Sequence, residues 1–382
     1  MIPPEDCHIN GRVTALDDIA RIQSCILNRL DRRTIGTKQI VGVIGDSPSR
    51  YSKSPSLWNA AFQALKMKAV YVALDVDDGQ LPTLIAAIRE SDRVLALQVT
   101  VPHKVAVMKH LGALDEQATQ IGAVNTIVRT EDGRLAGANT DGEGFVQSLL
   151  APQLGHGSPF MDSLKGIDAL ILGAGGSARA VAFSLAERME SGRLLISNRT
   201  HESAGALATA ISKGRGHVSA IREEEISEHA PRVNLIVNCT TKGQGGIRKG
   251  SAGATTLEPY SALAPANPAI VPQGADDASE FYHDWLSASL ADIEANNRAS
   301  WKLALSIPLK AGFYDLIYHP EETVFLGHGR MTGHRTLNGK GMIVAQAVEA
   351  FFNQICREQL QRARLHTPET RRRLLEIMAR AW

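Results

Sequence analysis

A lysine stands in this sequence where helix electrostatics would not put one. In VTVPHKVAVMKHL, Pro102 stops an apolar strand read over residues 95–101, and Lys104 falls in the first turn of the next helix, the end that disfavours cations. A charge so placed beside a strand's carboxyl end is either solvated or kept for function. Asp141, in GANTDGEGF, opens a later helix and reads as its N-cap or as a functional acid. Ser52 and Ser54, in YSKSP, lie two apart. In an extended loop both hydroxyls would point the same way, beside a helix N-terminus that favours anions. They form a carboxylate clamp, or Ser54 caps the helix ahead of Pro55 and Ser52 is solvated. Asn125 lies within the apolar run IGAVNTIV, where an unpaired amide is costly, so it bonds something specific.

A second chemistry, holding phosphate without reacting with it, belongs to ALILGAGGSAR at residues 169–179. An apolar strand runs into a glycine cluster and then a helix. Gly173, Gly175 and Gly176 would let the backbone turn sharply, and with Ala174, Ser177 and Ala178 they would form the cofactor-binding turn whose helix N-terminal amides face a pyrophosphate. A second strand, LLIS, ends roughly 20 residues on, where a dinucleotide fold places its ribose reader. Asn198, Arg199 and Thr200 stand there, with no acid. A carboxylate would repel a 2′-phosphate, whereas a guanidinium grips one with two parallel bonds, so the cofactor is read as NADP in preference to NAD.

These groups need elements to hold them. Strands are expected at 40–44, 70–76, 95–101, 121–128, 169–172, 194–197, 217–221 and 234–239, and helices after Ser54, at 81–89, after Asp141 and over 338–355. Leu16, Ile19, Ile22, Ile26 and Leu30 recur at helical spacing, which predicts an N-terminal helix docked on its own protein or on a second copy. Glu223 to Glu225 reads as a solvated helical turn, residues 151–165 as a domain junction, 279–295 as one helix, and 371–382 as a helix packed through Leu374, Leu375, Ile377 and Met378.

The chain of 382 residues suffices for two domains. Its 41 basic and 40 acidic residues give no field for nucleic acid or an anionic membrane. Cys7, Cys25, Cys239 and Cys356 have no zinc-like spacing, so reduced thiols, no metal and a cytoplasmic setting are expected. No apolar run reaches the roughly 18 residues of a membrane span.

SKSP, VTVPHK, GAVNTIV, NTDGEGF, GAGGSAR, SNRT, YDLIYHP and NGKGMIVAQA follow one another in the order found in shikimate dehydrogenases and their quinate-using relatives, and the chain resembles that family over residues 41–352. The resemblance implies an α/β fold of two domains facing each other across a cleft. After an N-terminal extension, 1–38, come a substrate-binding catalytic domain, 39–143, and a Rossmann NADP-binding domain, 144–330, with an insertion over about 245–310. The last part, 331–382, would be C-terminal helices returning to the substrate domain. It further implies that Ser52 and Ser54 bind the substrate carboxylate, that Thr100, Asn125, Tyr314 and Gln346 surround the ring and its hydroxyls, and that Lys104 and Asp141 are the catalytic pair. Thr240 and Gly339 join the cofactor-binding residues. The implied activity is reversible, NADPH-dependent reduction of 3-dehydroshikimate to shikimate by a monomer or homodimer. Quinate oxidation and non-catalytic ligand sensing are the alternatives. The sequence departs from the family pattern at Gln98, where asparagine is usual, at residues 238–244, NCTTKGQ, and at Ser203, where a second basic residue often supports the 2′-phosphate.

Overall fold

A computed structural model describes residues 15–212, 217–244, 248–249, 255–256, 260–267 and 279–382. By their contacts these residues form two units. One holds the chain up to Glu116, with Val124–Ala138 and Arg380–Trp382, and the other holds Gln117–Ala123 and Asn139–Ala379.

In the first unit β1 (Gln39–Gly45), β2 (Ala69–Asp75), β3 (Val94–Val99), β4 (Ala113–Leu114), β5 (Thr126–Arg129) and β6 (Leu135–Ala138) make one sheet in the order 2-1-3-5-6-4. β1 runs parallel to β2 and β3, while β5 is antiparallel to β3 and β6. Six of the seven β1 residues are buried, as a central parallel strand covered on both faces requires. The first described helix ends at Gln23, short of Ile26 and Leu30. The chain then lies along β2: Leu27 N–H donates to the Asp75 carbonyl, and the Asn28 side chain bonds the Ala73 carbonyl and the Asp75 N–H. Ile26 and Leu30 are buried by that path and not by a longer helix. The side chain of Leu16 lies outside the described residues.

In the second unit β7 (Ala169–Leu172), β8 (Arg193–Ser197), β9 (His217–Ile221) and β10 (Leu235–Asn238) are followed by a separate short pair, β11 (Arg248–Lys249) and β12 (Thr255–Thr256), then β13 (Gly312–Asp315) and β14 (Arg335–Leu337). The main sheet runs 14-13-10-7-8-9 and every pairing is parallel. This is the doubly wound order, with its switch point between β7 and β10, outside whose carboxyl ends such sheets bind ligands. β7 and β10 are buried throughout, whereas the edge strand β9 alternates.

Several elements differ from expectation. Residues 151–165 lie wholly in the second unit, and the chain passes between units at Glu116/Gln117, Ala123/Val124, Ala138/Asn139 and Ala379/Arg380. Arg380–Trp382 group with the first unit, whereas the C-terminal residues up to Ala379 group with the second. The reason is close packing: the helix Lys340–Glu349 lies on the helix Asp141–Leu150, where a Cβ on Gly144 would sit 2.6 Å from Gln346 Cβ. After Glu349 the chain continues as one π-helical turn, Ala350–Ile355. Glu223 is not solvated but pairs with Lys242 at 2.9 Å. Much of the 245–278 interval lies outside the described residues. Beyond it one helix, Ser279–Ser306, is longer than predicted, and its Asn296 side chain holds Ser261, Ala264 and Pro265. No described helix is long and apolar enough to cross a membrane.

Candidate active site

The first unit assembles Ser52, Ser54, Thr100, Lys104 and Asn125 around the carboxyl ends of its parallel strands. Thr100 follows β3, and its N–H donates to the Ile44 carbonyl at 2.9 Å. Gly45 makes this approach possible, since a Cβ there would meet Thr100 Cγ2 at 2.4 Å. His103 N–H donates to the Thr100 carbonyl, and the short helix His103–Ala106 begins, with half-buried Lys104 in its first turn. The turn is pinned twice. The His103 ring is fully buried, with Nε2 2.8 Å from the Val76 carbonyl, and the Lys104 carbonyl accepts Val124 N–H at 2.8 Å. Asn125 is buried just before β5. Its backbone joins Val99 and Ala138, and its Oδ1 accepts the Thr126 hydroxyl at 2.9 Å.

The serine pair is held differently from its expected geometry. Lys53 is helical, at φ −84° and ψ −13°, so the residues from Ser52 to Ser54 do not form an extended run and alternation does not set their directions. Ser54 does not cap the helix Ser54–Ala64 but begins it, and its own N–H donates to Ser52 Oγ at 3.2 Å. The turn before it is fixed by buried Asp75, which accepts both the N–H and the hydroxyl of Ser49.

In the second unit two glycines place Asp141. A Cβ on Gly142 would lie 2.0 Å from Ser184 Oγ, on the helix Gly176–Met189, and Gly144 packs against Gln346. Asp141 is buried at the first position of its helix, where the dipole favours a carboxylate. It is not the N-cap. That place is Thr140's, and Asp141 N–H donates to Asn139 Oδ1. Thr140 Oγ1 donates toward Gln346 Oε1 at 3.3 Å, so Gln346 and Asp141 share one corner of this unit.

The nucleotide turn has the geometry its sequence requires. Gly173 sits at φ +113°, and a Cβ there would lie 3.0 Å from the Cys239 carbonyl carbon, across the switch point. A Cβ on Gly175 would meet open space, and no side chain caps the helix that follows. An anion therefore has both room and a helix N-terminus. Ala174, Gly176 and Ser177 are half-buried there, whereas the Ala178 side chain is in the core, so only its backbone can face a ligand. At the end of β8 the Asn198 amide donates to the Thr200 carbonyl and shapes the turn that leaves Arg199 exposed. Thr240 is spent on its own loop: its N–H and hydroxyl both donate to Asn238 Oδ1, at 2.9 and 2.7 Å. Gly339 allows a close pass, because a Cβ there would lie 2.0 Å from the Leu316 carbonyl oxygen.

Comparison with known proteins decides the family. Residues 43–127 match the shikimate dehydrogenase substrate binding domain, and residues 157–258 match the shikimate / quinate 5-dehydrogenase domain. An NADP(+) shikimate dehydrogenase of Symbiobacterium thermophilum is 35% identical over 83% of this chain and 88% of its own. That of Caldanaerobacter subterraneus subsp. tengcongensis is 31% identical over 83% and 91%. The chain belongs to the shikimate dehydrogenase family. The fold agrees: a crystal structure of Thermus thermophilus shikimate 5-dehydrogenase, in complex with NADP(H) and shikimate, superposes with a TM-score of 0.60 at 27% identity, covering 90% of this chain and 100% of that one.

Within the shikimate dehydrogenase frame one expected residue is misplaced. Tyr314, on β13, is fully buried against Phe145 and Phe160, and its hydroxyl meets Ser148 Oγ at 2.7 Å. It is a core tyrosine and cannot surround a substrate. Tyr318, four residues on and half-buried past the strand's carboxyl end, stands where doubly wound sheets receive ligands. The sequence signal was its position after the apolar run, just before His319-Pro320. Also unanticipated is Asp315, whose carboxyl is pushed up to about 7 by complete burial. Three donors, from Thr323, Ile317 and Asn238, oppose that rise. Asn238 in turn holds Thr240 and the Lys242 carbonyl, so the altered NCTTKGQ loop hangs from Asp315.

Proposed function

We propose that the protein is an NADP-dependent shikimate dehydrogenase, interconverting 3-dehydroshikimate and shikimate. The observation that carries this is similarity over 83% of the chain to NADP(+) shikimate dehydrogenases, together with a lysine pinned in the turn after β3 and a buried acid at a helix N-terminus. Gly173, Gly175 and the helix they open would hold the pyrophosphate, and Arg199 the 2′-phosphate. NADPH supplies the hydride that reduction of a ketone needs. Lys104 gives the proton to the forming alkoxide as general acid and takes it back in alcohol oxidation, with Asp141 as the second member of the catalytic pair. Ser52 and Ser54 bind the ring carboxylate, Thr100, Asn125 and Gln346 orient the hydroxyls, and Tyr318 replaces Tyr314 in that set.

Mixing the protein with shikimate or quinate and NADP+ or NAD+, and following reduced nicotinamide by absorbance, tests this. Turnover fastest with shikimate and NADP+ is expected. Faster quinate turnover would make it a quinate dehydrogenase, and binding without turnover would make it a sensor.

A further inference from the structure

One lysine of the second unit joins the loop after β10 to the long interval that separates β10 from β13. The root of that loop is fixed by Asn238, whose Nδ2 donates to Asp315 Oδ1 at 3.0 Å and to the Lys242 carbonyl at 3.2 Å. Gly243, at φ +97°, lets the loop pass Thr323 closely, since a Cβ there would lie 3.0 Å from Thr323 Cβ. The outer part is held by Lys242, which lies in the stretch NCTTKGQ that departs from the family pattern. Its ammonium donates to Oε1 of Glu223, just past β9, at 2.9 Å, and to the Ala264 carbonyl at 3.3 Å. Only 14% of the lysine side chain and 17% of the glutamate side chain are exposed. Ala264 belongs to the interval, and its carbonyl accepts a second donor, Asn296 Nδ2, at 2.9 Å, from the helix Ser279–Ser306. Asn296 Oδ1 accepts Ser261 N–H at 2.8 Å, so residues 261–264 are clamped between that helix and the lysine.

We propose that Lys242 is a positioning residue for the nicotinamide half of the cofactor, and that residues 261–264 and the helix behind them are a buttress acting through it. This rests on the NADP-binding part of the shikimate dehydrogenase reading. A doubly wound sheet lays the two halves of a dinucleotide on either side of its switch point. With Arg199 at the end of β8 taking the 2′-phosphate, the adenosine half lies over β8 and the nicotinamide half over β10. The loop that Lys242 holds starts there and touches the pyrophosphate turn, where a Cβ on Gly173 would meet Cys239 and Thr240 at 3.0 and 3.2 Å. An ammonium bonded to two other segments removes the freedom of this loop to swing away from a ligand. Part of the ordering cost of binding is thereby met before the cofactor arrives. Only the half of the cofactor over β10 gains from it.

Lys242→Met keeps the aliphatic stem and removes both bonds. Dissociation constants of NADP+ and of 2′,5′-ADP, which has the 2′-phosphate and no nicotinamide, are measured by calorimetric titration of the full chain. The expected result is an NADP+ constant raised at least about fivefold, with the 2′,5′-ADP constant changed less than about twofold. Lys242→Met also strands the Glu223 carboxylate. Adding Glu223→Gln removes that charge without restoring the tether to Ala264, so the selective loss persists in the double variant. Equal losses on both ligands, no loss on NADP+, or recovery of NADP+ affinity in the double variant overturns the proposal. If Lys242→Met fails to fold, the same comparison in the double variant decides alone. A wild-type chain that binds neither ligand fails the NADP reading itself, and the proposal falls with it. A wild type that binds both, with variants lacking the selective effect, fails only the proposal.

Discussion

Asp315 makes the stability of the second unit depend on pH in a calculable direction. Its carboxyl titrates at about 7 in the fold against 3.8 unfolded, because burial penalises the charge more than its three donors favour it. Below 3.8 both states are protonated and nothing is lost. As pH rises, the unfolded chain releases its proton while the folded chain keeps it, so stability falls until pH passes about 7 and then levels off. The ceiling is about three pH units at roughly 1.4 kcal/mol each, or about 4 kcal/mol. Asp315→Asn keeps an acceptor for Asn238 and Ile317, turns a donor toward Thr323 Oγ1, and cannot ionise. The assay is thermal melting of wild type and variant in matched buffers from about pH 4.5 to about pH 7.5. A constant offset between the two reports packing. The linkage is in the change of offset, which should move at least about 3 °C in the variant's favour as pH rises, at roughly 2 to 4 °C per kcal/mol. An offset flat across that range, or one moving the other way, refutes a neutral Asp315.

Three further outcomes follow from the site. Lys104→Ala should cut turnover at least about a hundredfold, while the NADP+ dissociation constant, measured by fluorescence titration, stays within about twofold, because the proposed cofactor residues lie in the other unit. Retention of most turnover would remove Lys104 from proton transfer. Arg199→Ala should lower the ratio of kcat/KM for NADP+ over NAD+ at least about tenfold by deleting a charge-assisted phosphate contact, and an unchanged ratio would place selectivity elsewhere. Tyr318→Phe should raise the shikimate KM severalfold, whereas Tyr314→Phe should leave KM unchanged and cost about 1 kcal/mol of stability through Ser148. The reverse pattern would restore Tyr314 to the site.

What could be read from the sequence was what adjacent residues decide together. An apolar run too continuous for a half-exposed strand must be covered on both faces, and this picks out β1, β7 and β10 before any pairing is known. A glycine cluster closing such a run places a ligand at a strand's carboxyl end, which is where Gly173 and Gly175 stand. Side-chain fates were less legible because partners far along the chain settle them. Alternation could not show that Tyr314 faces Phe145 and Phe160 while Tyr318 escapes the core. Nor could it show that one helical residue, Lys53, would break the shared direction of Ser52 and Ser54.

The glycines of NTDGEGF make the same point about distance. Each is an ordinary helical residue locally, and each is explained only by a helix distant in sequence, at Ser184 for Gly142 and at Gln346 for Gly144. Those two close approaches seat Asp141 against the helix that opens the nucleotide turn and against the helix that carries Gln346. A proposed acid whose place is set by the absence of two neighbouring side chains is therefore more sensitive to a methyl group at Gly142 or Gly144 than its own chemistry would suggest, because each added carbon must displace a helix.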